Sequence, residues 1–355
     1  MIDFIIVGRG LAASVIAHTL HDNTISFKII GDNNLSNCSK VAAGIWNPIV
    51  FKRLTKSWLA NELIEHLNIF YTTCEKRLDK KLITQRSIIR SFIEDQEKKL
   101  WSAKASSELK EFLDPTIYDN NSLEFANCRV AEQFGLVKQS GNLNVAEFLN
   151  ATTTFFKDRL LDEIFDHAQL KINADHVSYK DIKAKNIIFC EGYLVKNNPF
   201  FKWIPLKPAK GETLIISAPE LKIKDHILNK NGFIMDQPDG NYKVGATYEW
   251  ADLTEEKSQK GLTELEEKLA QLINCQYTVL DHQAGVRPSS SDRRPIIGAH
   301  PEHNNLFIFN GLGTKGVMLA PYFAKKFVNF YLQKEALPPE VNVGRFYSLY
   351  AGEKK

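Results

Sequence analysis

A pair of glycines near the start of the chain constrains the fold more than any other feature. Residues 8–13 read Gly-Arg-Gly-Leu-Ala-Ala, between an apolar run from Ile2 to Val7 and a second from Leu11 to Leu20. The first run reads as a strand. The second reads as a helix that can turn Leu11, Val15 and Ile16 to one face. The pattern fits G-x-G-x-x-G/A. Gly8 makes the tight turn, Gly10 lets main chain approach a pyrophosphate, and Ala13 is small enough for close helix–strand packing. The N-terminus of such a helix offers unpaired N–H groups and partial positive charge to phosphates. Phe27 to Ile30 reads as a second strand, completing a βαβ unit with parallel pairing and a right-handed crossover. Asp32 stands close to the spacing of about 20 residues at which an acid holds a ribose hydroxyl. Gly31 interrupts the strand end, so Asp32 reads equally as a ribose ligand or a turn residue.

Further along, Ser57 to Leu113 carries charges on a helical rhythm, as in Asn61 to Phe70 and Glu94 to Trp101, until Asp114-Pro115 ends it. A β-like region from Leu123 to Val137 and a helix from Asn144 to Leu161 follow. Asn186 to Phe189 reads as a buried strand. Strands are also expected at Thr213 to Ser217, Gly232 to Asp236, Tyr242 to Ala246 and Leu306 to Phe309. Thr254 to Ile273 reads as a charged amphipathic helix, and Val317 to Leu332 as a closing one. Nucleotide-fold signals at both ends and in the middle imply that a second domain is inserted, not appended.

Composition excludes several classes. A net charge of +3, with basic residues spread among acids, argues against nucleic acid as the main partner. No apolar run approaches the roughly 20 residues that span a bilayer. The N-terminus has no basic start and no small-residue cleavage site, so a signal peptide is not expected and the cytoplasm is the expected location. The five cysteines are isolated and form no pattern with zinc spacing, so no metal site is expected. Oligomeric state is not legible.

Longer motifs make the reading specific. Ser39-Lys40-Val41-Ala42-Ala43-Gly44-Ile45-Trp46-Asn47-Pro48 resembles the S-x-x-A-A-G-h-x-x-P segment of the D-amino-acid-oxidase and glycine-oxidase family. Ile187 to Gly192 resembles that family's V-V-h-A-x-G strand, with Cys190 in place of alanine. Pro205 to Glu212 resembles its P-x-x-x-x-x-G-[QE] segment. Ala284-Gly285-Val286-Arg287-Pro288, then Asp292, Pro295 and Gly298, then Asn310 to Pro321, resemble G-h-R-P…D…P-h-I-G…G-x-x-x-x-G-h-x-x-A-P. Leu312 departs from the histidine common there.

The resemblance implies an α/β (α+β overall) protein: a Rossmann-like FAD-binding domain with an interleaved substrate domain on a mixed or antiparallel sheet. The implied division is 1–75, 137–204 and 285–355 for FAD, and 76–136 and 205–284 for substrate. It implies noncovalent FAD held by Gly8, Gly10, Leu11, Ala12, Ala13, Asp32, Ser39, Ala42, Ala43, Gly44, Ile45, Leu170, Gly192, Gly311, Gly313, Thr314, Lys315, Gly316 and Val317. The implied reaction oxidises the C–N bond of a small amino acid or secondary amine by hydride transfer to flavin N5. Arg287 matches the arginine that clamps a substrate carboxylate; otherwise it is a structural ion pair, with Asp292 as partner. Tyr248, after Gly245-Ala246-Thr247, is either a substrate contact or an interfacial tyrosine. Lys315 faces either flavin or, by default, solvent, and Lys52, Arg53 and Lys56 read as a solvated face. His18 reads as surface or packing. No catalytic acid or base is named, because a neutral amine requires none. The competing readings are an NAD(P)-dependent dehydrogenase and amine oxidation on a modified tRNA base.

Overall fold

The strand Ile2–Val7 explains its own placement. Phe4 and Ile6 join one apolar cluster with Val15, Ile16 and Phe327, while Ile5 and Val7 join another with Phe165, Phe189 and Phe201. A strand apolar on both faces has to be covered on both, the condition of a parallel sheet between layers. The computed structural model describes residues 1–32, 38–92, 94–120, 125–223 and 225–353. In it, Leu160–Leu161, Phe27–Ile30, Ile2–Val7 and Ile182–Phe189 lie side by side and parallel. Leu306–Asn310 continues the sheet in parallel beside residues 187–189, and Ile296–Ala299 pairs antiparallel to it. A hairpin, Leu170–Ile172 with Val177–Tyr179, runs beside the start of Ile182–Phe189.

Helices Leu11–Asp22 and Gly316–Tyr331 pack together on this sheet, and Ala60–Leu78 lies against the latter. Pro321 sits inside the helix Gly316–Tyr331 and has no N–H to give the carbonyl of Val317. The hydroxyl of Tyr71 donates to that carbonyl instead, at 3.3 Å.

The second sheet is mixed. Its order is Thr278–Arg287, Ala209–Ser217, Tyr242–Gly245, Phe233–Asp236, His226–Asn229, Ser87–Ser91, Gln133–Val137 and Tyr118–Asp119. All neighbours are antiparallel except His226–Asn229 with Ser87–Ser91. Along Ala209–Ser217 the faces alternate: Leu214 and Ile216 meet Leu265 and Leu269 of the helix Gln259–Ala270, whereas Gly211 and Thr213 face the other way, toward the first sheet's loops.

Three expectations are corrected. The stretch from Ser57 to Leu113 is not all helix: Ala60–Leu78 and Asp95–Ala105 are separated by strands Ile83–Gln85 and Ser87–Ser91. Ile88 and Ile89 are buried by strands distant in sequence, a tertiary effect that local rhythm does not carry. The helix expected over 144–161 stops at Phe155, after three consecutive threonines, and Leu160–Leu161 joins the sheet edge. The helix expected from Thr254 starts at Gln259, because the Ser258 side chain accepts from the Gly261 N–H at 2.9 Å and caps it there. The β-like region read from Leu123 begins in residues 121–124, outside the described residues; its strand is Gln133–Val137.

Candidate active site

The glycine turn is held by close contact. Gly8 has φ +118°, and a Cβ there would lie 2.4 Å from the carbonyl oxygen of Cys190. Only glycine accepts both the dihedral and the contact. Gly10 begins the helix without a side-chain cap, and Ser39 Oγ accepts the Leu11 N–H at 3.1 Å. The serine that opens the Ala-Ala-Gly motif is thereby tied to the phosphate-type turn. Arg9 reaches sideways to Asp162 at 2.7 Å.

Ala42, Ala43 and Gly44 follow a short helical turn, Cys38–Val41. Gly44 has φ +71°, and a Cβ would stand 1.9 Å from the carbonyl oxygen of Leu143. On the opposite side, the Asn310 side chain donates to the Gly192 carbonyl at 2.8 Å and accepts from the Gly311 N–H at 2.8 Å. That staple fixes the loop leading through Gly313 into the helix Gly316–Tyr331.

These loops surround a cavity of about 640 Å³, lined from both sheets. Of the expected residues, Gly8, Gly10, Leu11, Ala12, Asp32, Ser39, Ala42, Ala43, Gly44, Ile45, Gly192, Gly313, Thr314, Lys315, Gly316 and Val317 line it. Arg287 and Tyr248 line it too. Three of the expected residues do not line it. Ala13 is buried, where its small side chain suits close packing. Gly311 lies behind the loop against Ile296 and the Arg294 carbonyl. Leu170 pairs with Tyr179 in the hairpin.

The side of the cavity where Arg287 and Tyr248 stand is built from side chains. Arg287 lies flat across Gly211, whose absent Cβ would fall 1.9 Å from a guanidinium nitrogen. Its Nη1 donates to the carbonyls of Thr247, at 3.2 Å, and Lys210, at 3.3 Å. The guanidinium sits 4.3 Å over the Tyr248 ring, and Tyr248 stacks on the exposed Trp250. Burial pulls the Arg287 pKa down from its ordinary value. Asp292, the ion-pair partner considered from sequence, binds Arg345 at 2.9 Å instead, and Arg287 has no carboxylate partner among the described residues.

Lys315 corrects its default placement in solvent. It lines the cavity, its Nζ donates to Ser57 Oγ, and burial, followed by the nearby Arg294, pulls its pKa down to about 8. Lys52, Arg53 and Lys56 are exposed. His18 is fully buried between Thr152, at 3.0 Å, and Arg77, at 2.8 Å, and burial lowers its pKa to about 3. Cys38 lines the cavity, but burial raises its thiol to about 11, which keeps it protonated.

Several lining residues escaped the sequence reading. Glu191 follows the predicted strand and is held by His167, at 2.9 Å, and Asn198, at 2.7 Å. Ile88, Ile227, Asn229 and Phe233 come from the second sheet, and Glu255 from the loop before Gln259. Position between the end of the strand Ile182–Phe189 and Gly192 could have flagged Glu191. Nothing local marks the others.

The donor set fits a dinucleotide carrying a ring system. Two helix N-termini, at Gly10 and Gly316, and a small-residue segment face one elongated space. The family model for FAD-dependent oxidoreductases of the DAO type matches residues 3–329.

The chain belongs to that family.

FAD is accordingly the cofactor of this oxidoreductase, and the nicotinamide alternative is set aside. The glycine oxidase of Bacillus subtilis is 27% identical over 161 residues, 44% of this chain and 43% of that protein. The tRNA 5-methylaminomethyl-2-thiouridine biosynthesis bifunctional protein MnmC of Marinobacter nauticus is 23% identical over 225 residues, 53% of this chain and 36% of that protein. The matched part of the chain thus spans less than half the length of these relatives. In fold the likeness is wider. A glycine oxidase from Bacillus cereus superposes with a TM-score of 0.76 at 17% identity, covering 95% of this chain and 96% of that one. An iminodiacetate oxidase from Chelativorans sp. BNC1 gives 0.75 at 17% identity, covering 96% and 99%. Among the described residues no helix is long and apolar enough to cross a membrane.

Proposed function

We propose that this FAD-dependent oxidoreductase oxidises the C–N bond of a small amino acid or of a secondary amine that carries a carboxylate. One observation carries the reading: Arg287 is desolvated, faces the cavity and has no carboxylate partner among the described residues. A guanidinium fork in that state offers two parallel charge-assisted hydrogen bonds to a ligand carboxylate, fixing orientation as well as charge. FAD, when bound, supplies the hydride acceptor at flavin N5.

The chain's own residues hold and orient. The turn at Gly8, Gly10, Leu11 and Ala12 offers main-chain N–H groups to the pyrophosphate, with Ala13 behind it, and Asp32 offers its carboxylate to a ribose hydroxyl. Ser39 and the Ala42–Ile45 segment give ring-sized space along small side chains. The Gly313–Val317 turn would present the N-terminus of the helix Gly316–Tyr331 to the bound flavin, whose reduced form gathers negative charge that suits that dipole. Tyr248 and Arg287 position the substrate's reacting carbon, and close approach is what speeds hydride transfer. The imine product hydrolyses in water. FAD is held noncovalently: burial keeps the Cys38 thiol in the cavity wall protonated, and His167, which also lines the cavity, is engaged by Glu191. The segments 1–75, 137–204 and 285–355 form the FAD domain, and 76–136 with 205–284 the substrate domain, a division supported by the two sheets. The protein works in the cytoplasm.

The test is an anaerobic screen of amino acids and simple amines that follows bleaching of the oxidised flavin bands. Carboxylate-bearing amines are expected to bleach the wild type. Arg287→Ala is expected to cost such substrates about 100-fold or more in kcat/KM, at two charge-assisted hydrogen bonds lost, and to leave simple amines within a few fold. Equal loss for both classes would remove the proposed role.

A further inference from the structure

Arg287 accounts for one charge at the substrate end; Glu255 supplies the opposite one. Glu255 lines the same cavity, yet its Oε1 is buried and has no hydrogen-bond partner among the described residues. Both residues act on the Cys38 thiol, Arg287 drawing its pKa down and Glu255 pushing it up, so both stand near one point of the cavity wall. The loop that carries Glu255 is fixed, not loose. Asp252 pairs with Lys210 at 2.6 Å, Glu249 with Lys260 at 2.6 Å, and Ser258 hydrogen-bonds Glu212 at 2.7 Å. Asp252 and Glu249 have thus found cations, and Glu255, which lies between them and the helix cap in sequence, has none among the described residues. A desolvated carboxylate oxygen without a donor is costly, and a ligand bringing an N–H cation removes that cost.

We propose that Glu255 is a specificity-determining residue that receives the substrate's ammonium group, and the proton this group loses before hydride leaves the neighbouring carbon, while Arg287 receives its carboxylate, so that the site selects small zwitterions. This deepens the proposed function and rests on it. Amine-free carboxylates fill the Arg287 half only. Simple amines fill the Glu255 half only.

The experiment uses two ligands that differ by one amino group. α-Aminoisobutyrate is a zwitterion without an α-hydrogen, so it binds without being oxidised; isobutyrate is the same acid without the amine. Each is titrated into FAD-loaded wild type, Glu255→Gln, Glu255→Leu and Arg287→Ala, with binding read from the bound flavin's visible spectrum and by calorimetry. Wild type is expected to prefer α-aminoisobutyrate. Both Glu255 variants are expected to lose roughly 10- to 100-fold for it, the loss of one charged hydrogen bond, and to keep isobutyrate within about twofold. Glu255→Leu provides the same readout where Glu255→Gln fails to load FAD. Loss of both ligands alike, or of neither, in the Glu255 variants overturns the inference while leaving the Arg287 reading intact. Retention of both ligands by Arg287→Ala counts against the proposed function instead. Failure of FAD-loaded wild type to bind either ligand overturns both.

Discussion

The two ends of the cavity are made of different material. At the end proposed for the dinucleotide, backbone lines the space: Gly8, Gly10, Ala42, Ala43, Gly44, Gly313 and Gly316 leave main chain open to it. At the end proposed for the substrate, side chains line it: Arg287, Tyr248, Phe233, Asn229 and Glu255 come from strands and a pinned loop. The difference teaches where specificity resides. Main-chain N–H groups recognise any pyrophosphate, and their geometry tolerates little change. Side chains recognise one substrate class, and their replacement alters choice more than fold.

The comparison is broken most severely by a methyl group at the nucleotide end. Gly8→Ala would set Cβ against the Cys190 carbonyl at a φ that disfavours any side chain. It is expected to purify largely without flavin, measured as the ratio of flavin to protein absorbance, whereas Tyr248→Ala, at the other end, keeps its flavin. Arg287→Ala comes next, with the selective loss of carboxylate substrates described above.

A smaller effect is expected from Ser39, the hinge between motif and turn. Ser39→Ala removes the acceptor for the Leu11 N–H, and an exchange of this kind costs about 1 kcal/mol, or roughly fivefold in FAD affinity. Fluorescence titration of flavin-free protein reads it directly. No change would show that the serine merely fills space.

Lys315 gives the smallest signal, in pH dependence. Its folded pKa, about 8, lies below its ordinary 10.5. Below pH 8 the lysine is charged in both folded and unfolded chains, and its burial cost is present in full. Between 8 and 10.5 the folded chain releases its proton first, so stability rises with pH. Lys243, also buried and lowered to about 8, acts with the same sign. Lys315→Met in flavin-free protein is therefore expected to reduce, not abolish, the rise of Tm with pH over that window, by a few degrees. An unchanged slope would place Lys315 in water.

Legibility in the sequence follows the same division. The nucleotide end was readable because backbone geometry restricts residue type: only glycine accepts the Gly8 dihedral, and Ala42-Ala43-Gly44 marks main chain left open. Motif order then carried the reading from Ile187 through Arg287 to Pro321, while Leu170, in the hairpin, stands away from the cavity. The substrate end was mostly hidden. Ile88 and Ile227 meet only because Ser87–Ser91 pairs with His226–Asn229 across more than a hundred residues, and no local rhythm encodes that partner. Glu255 was hidden for a different reason. Charges typical of a helix face continue back to Thr254, but the Ser258 cap halts the helix at Gln259 and turns Glu255 inward. The burial of Lys315 is likewise a property of the assembled site, where Ser57 and Arg294 come from separate segments.

A crystal structure of the FAD-loaded protein with α-aminoisobutyrate tests the central claim most directly, because it locates both ends of the cavity at once. The account predicts pyrophosphate on the Gly10–Ala12 turn, the flavin ring between the Ala42–Gly44 and Gly313–Gly316 segments, and the ligand carboxylate on Arg287. A dinucleotide seated away from the glycine turn, or a carboxylate bound clear of Arg287, would contradict it.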